Sequence, residues 1–94
     1  MDKNAEDFYD RLRIELNNTN VWPAEYLFKF IVPTDKENID KVENAFDGIG
    51  AIIVTKKSRT EKYTSISIDV QMQSAQDVID KYLAVSTIEG IISL

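Results

Sequence analysis

Tyr63-Thr64-Ser65-Ile66-Ser67-Ile68-Asp69-Val70-Gln71-Met72 decides the fold of this chain. Thr64, Ile66, Ile68, Val70 and Met72 point one way; Tyr63, Ser65, Ser67, Asp69 and Gln71 point the other. Successive side chains of a strand leave opposite faces of a sheet. Strict period two over this length therefore predicts a strand with one buried face and one polar face.

The neighbouring segments fall into place around it. Upstream, Ala51 to Thr55 reads as a short strand that turns basic at Lys56-Lys57 and enters a loop near Ser58 to Glu61. Downstream, Ser74 with Asp77 caps a helix whose apolar stripe is Ala75, Val78, Ile79, Tyr82 and Leu83, at helical spacing. Gly90 breaks that helix off, and Ile91 to Leu94 is a short last strand. Before the basic segment, Ile39, Val42 and Phe46 mark another helix, opened by the Thr34-x-x-Glu37 capping box and stopped at Asp47-Gly48-Ile49-Gly50.

Earlier still, Trp22-Pro23 opens a strand rich in β-formers, Tyr26-Leu27-Phe28-Lys29-Phe30-Ile31-Val32, which Pro33 ends. Tyr26, Phe28, Phe30 and Val32 make a dry face; Leu27, Lys29 and Ile31 make a half-covered one. The first element is a helix over 5–17, with Asn4 as its N-cap and a narrow stripe of Phe8, Leu12 and Leu16. The order is a helix followed by β-α-β-β-α-β. That order predicts an α+β, ferredoxin-like sandwich in which two helices cover one face of a four-stranded antiparallel sheet. Right-handed crossovers place the first and third strands in the middle. At 94 residues the chain is one domain, 1–94, with the 5–17 helix added to a core over 22–94.

Composition narrows the chemistry. The chain has neither Cys nor His, which excludes disulfide frameworks, thiolate zinc sites, Cys nucleophiles, His-based triads and imidazole metal ligands. The segment Met1 to Asp7 has neither a basic stretch nor an apolar one, so it is no secretory leader, and a cytoplasmic location is expected. The longest apolar run, Ala51-Ile52-Ile53-Val54, is far short of a membrane span. Net charge is −5, but it is unevenly spread: Lys56, Lys57, Arg59 and Lys62 against Glu61 give the hairpin +3 and leave −8 for the rest.

The chain resembles the YbeD-like family of small bacterial proteins, a domain of unknown function. The matching features are Trp22-Pro23, the Tyr26-x-Phe28-Lys29-Phe30 strand, Ser58, Tyr63-Thr64-Ser65-Ile66-Ser67-Ile68, and the terminal helix with its short strand. The likeness runs from about Trp22 to Leu94. It implies a ferredoxin-like fold similar to the ACT regulatory domains, which commonly pair and bind ligands at their seams. It implies no reaction and carries over no catalytic residues. Family members often place Gly in the hairpin before the Tyr; Thr60-Glu61 stand there here, so a longer, mobile loop is expected.

Three groups of residues invite a functional reading, and each has a plainer one. Lys56, Lys57, Arg59 and Lys62 suit an anion or a nucleic acid, but Lys and Arg also protect an edge hairpin from unwanted strand pairing. The acidic remainder disfavours nucleic acid. Lys29 with Ser65 and Ser67 has the residue types of a nucleophilic constellation. The ordinary alternative is a polar sheet face with a Lys29–Asp69 cross-strand ion pair. Glu37, Asp40 and Glu43, like Asp77 and Asp80, recur every third residue and offer oxygen ligands. Interleaved Lys36, Lys41 and Lys81 make them solvated helix faces instead.

The functional expectation is a non-enzymatic regulatory or interaction module. It binds a small ligand or a protein partner, or pairs with itself, through the sheet face of Leu27, Lys29, Ile31, Ser65, Ser67 and Asp69. An anion or nucleic-acid binder using the hairpin 56–62 is the alternative. No cofactor, metal or membrane partner is implied. Leu27 and Ile31 leave an apolar strip on that face, which either the first helix or a second chain must cover.

Overall fold

The structure, a computed structural model, describes the backbone of residues 3–94 and the side chains from Glu6 onward. The elements run α1 (Lys3–Thr19), β1 (Ala24–Pro33), α2 (Lys36–Ala45), β2 (Ile52–Lys57), β3 (Tyr63–Met72), α3 (Ala75–Val85) and β4 (Ile92–Ser93). The four strands form one antiparallel sheet in the order β2-β3-β1-β4. This is the ferredoxin-like arrangement with an added N-terminal helix, and β1 and β3 take the centre as their patterns require.

The alternation of β3 is realised residue by residue. Thr64, Ile66, Ile68, Val70 and Met72 are all buried, while Tyr63, Asp69 and Gln71 are exposed and Ser65 and Ser67 half-buried. Tyr26, Phe28, Phe30 and Val32 of β1 lie on the same inner face, and the Phe28 ring meets those of Phe46 and Tyr82 edge to face. Such pairs stabilise beyond the area they bury. Val42 from α2, Phe46 at its C-cap, and Val78, Ile79 and Val85 from α3 close the core from above.

Local chemistry fixes the helix ends, with corrections to the sequence reading. α1 begins at Lys3, so Asn4 lies within it and is not its cap. The N-cap of α2 is Asp35, whose carboxylate accepts from the Glu37 N–H at 2.9 Å. Thr34 does not cap, because its hydroxyl pairs with the Thr64 hydroxyl at 2.8 Å and satisfies the one polar side chain among the buried residues. Ser74 caps α3 as expected, accepting from the Asp77 N–H at 3.1 Å. The Trp22 ring packs at the rim of the core and its N–H donates to Asn17 Oδ1 at 2.8 Å; the Trp22–Pro23 peptide is cis.

The β2–β3 connection is tighter than expected. Lys56 and Lys57 belong to β2, leaving the link Ser58 to Lys62. The Ser58 N–H donates to Tyr63 O at 2.7 Å, the Glu61 N–H donates to Ser58 O at 2.9 Å, and the Tyr63 N–H reaches Ser58 Oγ at 3.2 Å. Glu61 sits at φ 61°, the left-handed conformation that glycine adopts without penalty.

Candidate functional site

One face of the sheet carries both helical neighbours of the core, and the other is left uncovered by the described residues. α1 packs against α3, not across the open face. Leu16 is buried there, Tyr9 and Leu12 lie against the core, and the Arg13 guanidinium donates to Gln76 Oε1 at 2.7 Å and 3.1 Å. Leu12 and Leu16 of the expected stripe, with Tyr9, have thus found the helical layer while Phe8 stays exposed, and the idea that α1 covers the strip of Leu27 and Ile31 is corrected.

Register assembles the open face row by row. Ile52, Asp69 and Leu27 share a row; Val54, Ser67 and Lys29 the next; Lys56, Ser65, Ile31 and Ile92 the third. Leu27, Ile52 and Val54 keep 63%, 67% and 61% of their surface exposed. All six residues expected on this face lie on it. Ile52, Val54, Glu25 and Ile92 join them without having been singled out. The signal for Ile52 and Val54 was the run Ala51 to Val54: only Ala51 and Ile53 of it turn inward.

The same register removes the expected ion pair. Lys29 stands opposite Ser67, and Asp69 stands opposite Leu27, so the two charges are diagonal and form no salt bridge. Asp69 instead lies beside Glu25. Hydrogen bonding to Asp69, then repulsion from it, pushes the Glu25 carboxyl above its usual value. Two carboxylates therefore share one end of the face, with no cation paired to them among the described residues. No hydrogen bond joins Lys29 to Ser65 or Ser67 among the described residues; the Ser65 hydroxyl donates to Lys56 O at 3.3 Å.

The basic hairpin divides. Lys56, Lys57 and Arg59 line a shallow groove of about 470 Å³ with Ile31, Tyr63 and Ser65, so this part of the hairpin and the open face are one surface. Lys62 is outside the groove, and its carbonyl accepts from the Thr34 N–H at 2.9 Å. The helix carboxylates are engaged locally: Lys36 meets Asp40 at 2.8 Å, Lys41 meets Glu37 at 3.4 Å, and Gln76 donates to Asp80 at 2.9 Å. Among the described residues no cluster of acidic side chains is built to hold a metal ion.

The fold and this uncovered face define an α+β, ferredoxin-like domain with a polarised sheet surface. Residues 17–94 match the model of the family described as "Protein of unknown function (DUF493)". The chain belongs to that family, of which the YbeD-like proteins are members. The match begins inside the last turn of α1, so most of that helix precedes the matched region. Comparisons with curated proteins and with solved structures gave no match. No helix among the described residues is long and apolar enough to cross a membrane.

Proposed function

We propose that this chain is a non-enzymatic interaction module that binds a protein surface through its open sheet face. The observation that carries the proposal is the exposure of Leu27, Ile52 and Val54 together on a face that none of the chain's helices covers. Burying those side chains would gain about 25 cal/mol for each Å² of apolar surface removed from water. The groove of Lys56, Lys57 and Arg59 at one end adds a requirement: the bound surface carries acidic side chains beside its apolar centre. Nucleic acid fits less well, because the domain as a whole repels phosphate at net charge −5. The absence of Cys and His from the sequence supports a binding role over a catalytic one.

Site-specific photo-crosslinking in cells tests the proposal. A photoreactive residue at Val54 is expected to give a discrete protein adduct, abolished by Leu27→Asp, while the same residue at Glu37 on α2 gives none. Equal labelling from both positions, or no adduct from Val54, would overturn it.

A further inference from the structure

We infer that the occupant of the open face is a second copy of this chain, packed sheet to sheet and turned end for end about a two-fold axis that runs across the strands. The inference rests on the reading of this face as a protein-binding surface, and it goes further by naming the partner and its orientation.

Charge is segregated along the strands. Glu25 and Asp69 occupy one end of the face, and Lys56 with the Arg59 groove occupies the other, two rows of the register away. A face-to-face pair related by an axis parallel to the strands would stack acid on acid and base on base. An axis across the strands, through the Val54–Ser67–Lys29 row, sets the acidic end against the basic end, while Lys29, lying on the axis, meets its own mate beside the two-residue edge strand β4. It lays Lys56 of one copy over Ile52 of the other, next to Asp69, and brings Arg59 over the Glu25 end. The same contact then occurs twice, as an isologous interface demands.

The face is also shaped for a facing sheet. Ser67 lies between Val54 and Lys29, and Ser65 between Ile31 and Lys56; the two short side chains at the centre permit the roughly 10 Å separation of packed sheets. The carboxylates of Glu25 and Asp69 repel one another within the single chain, and a cation from the second copy relieves that repulsion. Size sets the strength. With β1 and β3 of ten residues, β2 of six and β4 of two, at about 3.3 Å per residue and about 4.8 Å between strands, the face presents roughly 450 Å² per copy. The total of roughly 900 Å² lies below the standard size of specific interfaces, in the range of weak, transient ones. A concentration-dependent dimer follows, not an obligate one.

Sedimentation equilibrium of the full chain, with charge-reversed variants, is the test. Wild type is expected to associate reversibly to a dimer in the micromolar range. Lys56→Glu and Asp69→Lys are each expected to weaken self-association at least tenfold. Mixed one to one, the two variants are expected to form a heterodimer, because both reversed contacts then become attractive again. Both variants keep a net negative charge, so general attraction does not bring them together. Circular dichroism confirms that each is folded. A wild type that stays monomeric to millimolar concentration, or a mixture that fails to associate, would overturn the inference. In that event a crosslinked adduct of Val54 to a different chain would leave the interaction surface itself standing, whereas no adduct at all would remove both.

Discussion

Leu27 and Phe28 are neighbours in β1 and lead different lives. Phe28 is fully buried among Phe30, Phe46 and Tyr82, whereas Leu27 keeps 63% of its surface exposed. The difference belongs to the two faces of one sheet. The inner face is filled to close packing by two helices and an added third. The outer face mixes apolar, small and charged side chains that no helix of the chain covers. Stability thus belongs to one face and, under the proposed function, binding to the other, and substitutions on the two should separate those properties.

The largest effect is expected at Phe28→Ala. Removing a fully buried ring costs about 3–5 kcal/mol. That is a large share of the roughly 5–14 kcal/mol total expected for 94 residues. Urea unfolding checks it, and a cost under 1 kcal/mol would break the comparison at its strongest point. Gly90→Ala comes next. Gly90 has φ 81°, and an added Cβ would stand 2.9 Å from Pro33 Cγ at the end of β1. Left-handed strain and the clash together are expected to cost about 2 kcal/mol and to loosen β4, read as faster amide exchange at Ile92.

Tyr82 sharpens the inner face. Burial, then the hydrogen bond between its hydroxyl and that of Tyr26 at 3.0 Å, raises its pKa. The unfolded phenol ionises near pH 10. The folded one resists, so its contribution is complete below about pH 10 and is lost as pH rises beyond that. Tyr82→Phe is expected to lower stability by about 1 kcal/mol at pH 7 and to flatten the fall between about pH 9 and pH 11. The difference between wild type and variant in urea midpoint against pH reads this directly. The smallest effect is expected at Glu61→Gly in the turn, where relief of the left-handed conformation gains about 0.5–1 kcal/mol in thermal melting.

What was legible in the sequence followed the same division. The inner face could be read because a buried strand face leaves a period: Thr64 to Met72 alternate strictly, and Val78, Ile79 and Tyr82 repeat at helical spacing. The sheet order then followed from chain order and the handedness of crossovers. The outer face resisted because its meaning lies in register. Lys29 and Asp69 look like partners until β1 and β3 are aligned, and then Glu25 proves to be the neighbour of Asp69. The position of α1 was hidden for another reason: a stripe of Phe8, Leu12 and Leu16 suits any apolar surface, and nothing in it names α3. The capping-box pattern points to Thr34 as the cap of α2, although Asp35 beside it carries an equally suitable oxygen. Thr64, thirty residues away, draws the Thr34 hydroxyl and leaves the role to Asp35. The folded chain bears out the architecture that the family resemblance implied, and the orientation of the hairpin cations came only from it.

The most direct measurement is the unfolding free energy of Leu27→Thr in dilute solution, where the chain is monomeric. Threonine keeps the β propensity of the position and removes most of its apolar surface. A value within about 0.5 kcal/mol of wild type is expected, as for an exposed side chain. A loss of about 2 kcal/mol or more would show that Leu27 is packed by this chain itself, and would contradict an open face reserved for a partner.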